Sequence, residues 1–281
     1  MKILWKHILR GCQGVKELLK LVRCELWKYK RNKVIPLLTM LAVLFPLALV
    51  IMTRSRIDGT QDCRALYNYY DYVFGSNIVY SFMLFLPCLI GSVGAVLFFA
   101  ERDNDTFKNI RSIPITCGQL VLVKLAVLYL WAVFYAMLTT VSVTVFCAAV
   151  NYRAVYDFPF KLMVSILAGI MIVSFSLPAV VMVIYFNQNY VLSILLAFSY
   201  SILNWFFLIL FAGHEMIVKF LPLITGLFWV SFILDYRKKA LFGDYVSPVH
   251  MSDHLRVFVS LVIIFTLSVT LILRFYKKWS R

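Results

Sequence analysis

The chain has 281 residues, 62% of them hydrophobic, and a formal net charge of +15. A soluble domain has about half its residues apolar, so this excess excludes an ordinary soluble enzyme and points to an integral membrane protein. The basic residues flank apolar runs, as topology signals do, and do not gather into a nucleic-acid face. Six cysteines are scattered, with no zinc-like spacing and no disulfide framework. A bridge between Cys63 and Cys147 is open on layout alone.

Residues 1–33 carry ten Lys and Arg residues and no signal-peptide core. Beyond Gly11 and Gly14, Val15, Leu18, Val22, Leu26 and Tyr29 recur at intervals of three and four. Lys16, Lys20 and Arg23 lie largely off that stripe. The pattern predicts an amphipathic helix lying in the membrane interface or, alternatively, packed on a partner protein. Residues 34–53 form an apolar run about 20 residues long, enough to cross the hydrocarbon core, and no cleavage site follows. In the polar stretch 57–77, Tyr67, Tyr69, Tyr70 and Tyr72 read as anchors in the outer headgroup layer.

A second span is expected over 78–100, bent or closely approached at Pro87, Gly91 and Gly94. An island of charge follows, from Glu101 to Lys124. Asp103 or Asp105 caps a short helix there, and Phe107 and Ile110 share one of its faces. Lys108 and Arg111 share a neighbouring face, and Pro114 stops the helix. Thr116 and Gln119 then stand at capping-box spacing and open the third span, 120–150. Lys124 is expected to snorkel to the headgroups. A short outer loop, 151–161, leads to a fourth span over 162–186 with a kink at Pro178, and a fifth covers 190–211. Residues 217–234 are apolar at the lower length limit for a span, and 257–275 is a clear final span before Lys277, Lys278 and Arg281. Six or seven spans both put 18 basic residues on the N-terminal side and 10 on the other. The positive-inside rule therefore fixes the N-terminus and the island as cytoplasmic without choosing between them.

There is no G-x-x-x-x-G-K-[ST] and no G-x-S-x-G, so the chain carries no P-loop of its own. His250, Asp253 and His254 have part of a metal-site spacing, but Pro248 precedes them and a third ligand is missing. No Asp, Glu, Arg or His is expected deep in a span, which argues against an ion-coupled carrier. Asn204 is the main polar exception, and bonding between helices accounts for it. If the chain pumps, its energy must come from a separate ATPase.

The run from Glu101 to Thr116, with Lys124 after it, resembles the region after the second span in ABC-2 type transporter permeases. The relevant residues are Glu101, the Asp105–Thr106 step, the apolar helix with Phe107 and Ile110, then Pro114 and Lys124. Asp105 stands where that family usually has Gly. Within the family the layout looks most like the permeases of lantibiotic and bacitracin-type immunity exporters. The resemblance implies an all-α membrane fold of six transmembrane helices, with an interfacial N-terminal helix and a re-entrant hairpin between helices five and six. Residues 1–281 would be one transmembrane domain, with a cytoplasmic segment 1–33, a membrane part 34–275 and a cytoplasmic tail 276–281.

The same resemblance makes the island a coupling helix for an ABC ATPase subunit, through Glu101, Asp103, Asp105, Thr106, Phe107, Lys108, Ile110, Arg111 and Pro114. It implies a second permease (a copy or a relative), a cell-membrane location and an amphipathic cargo such as a peptide antibiotic, a hydrophobic drug or a lipid. The chain itself would be non-catalytic and hold no cofactor, with ATP and Mg in the partner. The rivals are an ATP-independent carrier or signalling partner, and a membrane enzyme built on residues 212–254.

Overall fold

A computed structural model describes residues 19–29, 32–57, 62–103, 116–186, 190–210, 221–243 and 251–279. Among them no strand occurs, and the elements are helices. Helix α1 covers residues 19–29, and α2 is Val34–Thr53. Helix α3, Cys63–Asn77, passes through a π-helical segment, Ile78–Phe85, into α4, Leu86–Asp103. Then come α5, Cys117–Val150, α6, Phe158–Phe186, α7, Tyr190–Leu210, α8, Pro222–Phe242, and α9, Met251–Trp279. Six helices among the described residues are long and apolar enough to cross a membrane; α1 and α8 are not among them.

The second span differs most from expectation. It runs unbroken from Cys63 to Phe99, 37 residues, or roughly 55 Å at 1.5 Å per residue, well beyond a hydrocarbon core. Residues 63–77, expected within a tyrosine-rich outer loop, are therefore the head of this helix. Its buried stripe is Leu66, Tyr69, Tyr70, Val73, Phe74 and Asn77, a helical period. Tyr69 and Tyr70 are buried, which corrects their reading as headgroup anchors, whereas Tyr72 is exposed. Thr53 donates to the Tyr69 hydroxyl, and Tyr70 shares a hydrogen bond with Thr144. These bonds satisfy polar tips that burial would otherwise strand. The π segment precedes Pro87, which lacks an N–H and crowds the carbonyl four residues back, inside that segment. The helix thus widens just before the proline.

Helix α6 is central, packing against α4, α5, α7, α8 and α9, and it runs through Pro178 without ending. Hydroxyl pairs tie it to α5: Tyr129 with Ser174, and Thr140 donating to Ser165. Asn204 does not bridge helices as expected. It bonds the Tyr200 carbonyl within α7, while the Tyr200 hydroxyl reaches the Phe175 carbonyl in α6. Helix α8 lies antiparallel to α6: Gly226 meets the Phe175 ring, and Arg237 sits over the Phe160 ring. Pro222 occupies its first turn, and Gly243, with φ 73°, closes it in the left-handed conformation. Neither Pro222 nor Gly226 interrupts α8. Cys63 and Cys147 are both free.

Helices α4 and α7 approach at Gly91 and Ala197, where a Cβ on Gly91 would collide with the Ala197 Cβ. That contact is rigid on both sides. Gly91→Ala is therefore expected to lower thermal stability in detergent by about 1–3 kcal/mol, the usual cost of overpacking. Adding Ala197→Gly should return most of the loss; a double variant as unstable as Gly91→Ala would contradict this packing.

Candidate functional site

The described residues place a buried charge at the base of the island, at the α4–α5 end of the bundle. Lys124, in the second turn of α5, is 1% exposed. Its ammonium donates to the Leu97 carbonyl of α4 at 2.7 Å and stands 3.7 Å from the Glu25 carboxylate of α1. The expected snorkelling to the headgroups is corrected: the side chain turns inward. An ammonium taken from water loses several kcal/mol of hydration. A charge-assisted bond to a carbonyl returns part of that, typically about 1.5–3 kcal/mol. The Phe98 ring, 5.7 Å from the ammonium, adds a weak attraction.

Three elements hold this lysine. Helix α5 starts with the expected capping box: Thr116 accepts from the Gln119 N–H at 3.3 Å, and Gln119 accepts from the Thr116 N–H at 3.0 Å. That cap fixes the start of the helix and hence the face on which Lys124 lies. Helix α4 supplies Leu97, with Phe98 edge-on to Tyr276 of α9. Helix α1 supplies Glu25, which is 7% exposed and also takes Lys28 at 2.7 Å. Glu25 went unnoticed in sequence, although Val22, Glu25 and Tyr29 share one helical face.

The expected interfacial stripe is only partly the buried one. Val22 packs against the core and Tyr29 is buried, while Leu26 is exposed, alongside Leu19 and Trp27. Val15 and Leu18 lie outside the described residues. The Tyr29 hydroxyl has no hydrogen-bond partner among them, and burial pushes its pKa well above the phenol range. Residues 101–103 continue α4 as helix. The side chains of Glu101 and Asp103 are outside the description, as are Asp105, Thr106, Phe107, Lys108, Ile110, Arg111 and Pro114 entirely.

At the opposite end, His254 accepts from the Trp229 indole N–H at 2.9 Å and packs against Phe232. His250 and the Asp253 side chain lie outside the described residues. No group of three His, Cys, Asp or Glu residues that could hold a metal occurs among those described.

These features define a multi-pass helical membrane protein with a charged junction at one end of its bundle. Residues 21–204 match the ABC-2 family transporter protein family, and the chain belongs to that family. The match runs from α1 into α7 and contains Glu25, Leu97 and Lys124. Members are generally the non-catalytic membrane component of a transporter and generally work with an ABC ATPase. No curated protein matches the chain.

Lys124→Met keeps the side chain's bulk but removes its donor, leaving Leu97 and Glu25 with one fewer partner. It is expected to cost about 1–3 kcal/mol in detergent unfolding. Glu25→Gln should cost less, since Lys124 keeps its carbonyl. The double variant should cost less than the two single losses added. Strict additivity would show that Glu25 and Lys124 do not interact.

Proposed function

We propose that this chain is the membrane permease of an ATP-driven exporter, powered by a separate ATPase subunit that holds ATP and Mg. The observation that carries this reading is the Lys124 tie. Lys124 and Leu97 are 27 residues apart in sequence, and their bond closes the base of the segment carrying the island. A push on a segment with a closed base reaches α4 and α5 together instead of dissipating in a loose loop. Through Glu25 the same push reaches α1. Such a base suits a coupling helix formed by Glu101, Asp103, Asp105, Thr106, Phe107, Lys108, Ile110, Arg111 and Pro114.

Helix α1 would lie in the membrane interface, with Val15 and Leu18 continuing its apolar side. Exposed Leu19, Leu26 and Trp27 alongside exposed Lys20 and Arg23 support that placement. Residues 217–234 would belong to a re-entrant hairpin between the fifth and sixth spans. In its support, α7 and α8 point the same way: Tyr200 and Gly226 both meet α6 at Phe175, and each helix then runs toward the end holding Asp71. Both termini would be cytoplasmic, as the basic N-terminal segment favours. A second permease, a copy or a relative, would complete the transporter. Amphipathic cargo, such as a peptide antibiotic, a hydrophobic drug or a lipid, suits a described interior that is mainly apolar and hydroxyl side chains, with Lys124, Glu25 and Lys161 buried toward its two ends. The layout favours the lantibiotic and bacitracin-type immunity exporters.

Phe107 is the proposed apolar anchor in the ATPase groove, and such an anchor is typically worth about 2 kcal/mol or more. Phe107→Ala should leave the protein in the membrane at normal levels while reducing co-purified ATPase at least tenfold, since every ~1.4 kcal/mol is a factor of ten. In the same cells a cysteine at Lys278 should resist an impermeant reagent added outside. Full ATPase retention by Phe107→Ala would reduce the island to a solvated loop, and efficient labelling at Lys278 would reverse the assigned terminus.

A further inference from the structure

The other end of the bundle holds a second concentration of charge that the coupling role does not use. A cavity of about 170 Å³ lies between the head of α3, the start of α6 and the end of α8. Asp71, Asp157 and Asp235 line it together with Lys161, Arg237 and Lys238. Five of these six charges, all but Asp235, fall into two groups of different strength.

The first group is built in. Lys161 is 4% exposed, donates to Asp71 at 2.8 Å, and lies 3.5 Å from the Tyr70 ring centre and 4.1 Å from that of Tyr156. The Tyr156 hydroxyl also donates to Asp71. Burial and the Asp71 carboxylate push the Tyr156 pKa well above the phenol range, so that donor stays protonated. Removing one partner from such a buried cluster would strand a charge, so it does not open readily.

The second group is superficial. Arg237 donates to Asp157 at 2.7 Å with its side chain 44% exposed. Lys238, 29% exposed, reaches Asp71 at 3.4 Å and donates to Asn68 at 3.0 Å. These contacts join α8 to residues 80 and 170 positions away; the Arg237 pair is of the exposed kind that contributes little and weakens with salt, and the Lys238 pair is half-buried. Phe242 completes the contact against Tyr67 and Tyr156, with ring centres 5.7 and 5.5 Å away. Deeper along α8, Gly226 is wedged on Phe175, so that part is held by packing. The charged end of α8 is thus the releasable end of a helix fixed elsewhere.

We propose that Arg237–Asp157 and Lys238–Asp71 form a releasable clasp, and that its opening swings the end of α8 away and exposes the cavity beside Asp71 and Lys161. With α8 lifted, Asp71, Asp157 and Lys161 leave a mouth of net negative charge on the bundle, formerly covered by Arg237 and Lys238. The proposal rests on the permease reading only in making this mouth a cargo exit; the clasp itself does not require it.

Gly75 supplies the probe. It lines the cavity, and a Cβ there meets nothing within 4 Å. The full chain, cysteine-free apart from Gly75→Cys, is placed in nanodiscs of phosphatidylethanolamine and phosphatidylglycerol and labelled with a bulky polar maleimide. Arg237→Gln with Lys238→Gln should raise the labelling rate about three- to tenfold, the range that weak exposed pairs allow. Raising NaCl should speed labelling of the parent and leave that variant unchanged. Exchanging Asp157→Arg with Arg237→Asp should keep labelling slow, which a merely unfolded variant would not do. Equal rates in parent and neutralised variant, a parent rate independent of salt, or fast labelling in the exchanged pair would each overturn the clasp. No ATPase or cargo enters the assay, so its failure leaves the permease reading intact, and absence of an ATPase partner leaves the clasp intact.

Discussion

The structure turns on a lysine that does not reach for water. Lys124 has a stem long enough to carry its charge to the headgroups, yet it is turned inward, onto the Leu97 carbonyl and toward Glu25. Burial of that ammonium is tolerable only while it keeps partners of this kind. The ends of α4 and α5 and the face of α1 are therefore constrained together. A covalent segment of 26 residues separates Leu97 from Lys124 (98–123), and the tie makes its base a fixed point instead of two independent helix ends. The functional reading follows from that constraint: a membrane domain that is driven from outside needs somewhere stiff to be pushed.

The bundle is stiff for further reasons. Helix α6 is surrounded by five others, and its small residues and hydroxyls allow close approach with satisfied polar tips. Two features depart from that regular packing. One is the π-helical segment before Pro87, where the helix widens. The other is the charged end of α8, held by one exposed and one half-buried ion pair. A rigid centre with a fixed base and a loosely fastened far end is an arrangement that can pass displacement along the bundle axis without shearing its core.

Much of this was legible in the chain. The apolar runs mark the six spans while leaving 217–234 open as a seventh, and the Thr116–Gln119 capping box was readable to the residue because its signal is local: two side chains and two backbone N–H groups three positions apart. The head of α3 was missed although its period was present. Leu66, Tyr69, Tyr70, Val73, Phe74 and Asn77 repeat at helical spacing, but tyrosines, Asn68 and Asp71 lower the mean hydropathy and suggest a loop. Glu25 and the orientation of Lys124 were not readable, because each depends on a partner far away in sequence. The same holds for Lys161, whose burial depends on Tyr70, Asp71 and Tyr156 arriving from two other elements. Sequence reports which groups are charged; which charges are buried is set by tertiary partners.

The family match makes the chain an ABC-2 family protein, and the proposal to be tested is that its energy comes from another subunit. The most direct test is to purify the tagged chain from its native membrane in mild detergent and quantify its partners by mass spectrometry. The account predicts a P-loop ABC ATPase recovered in about equal amount to the chain, and largely lost when the Phe107→Ala variant is purified in its place. Recovery of the chain in transport-competent form with no ATP-binding subunit would contradict it.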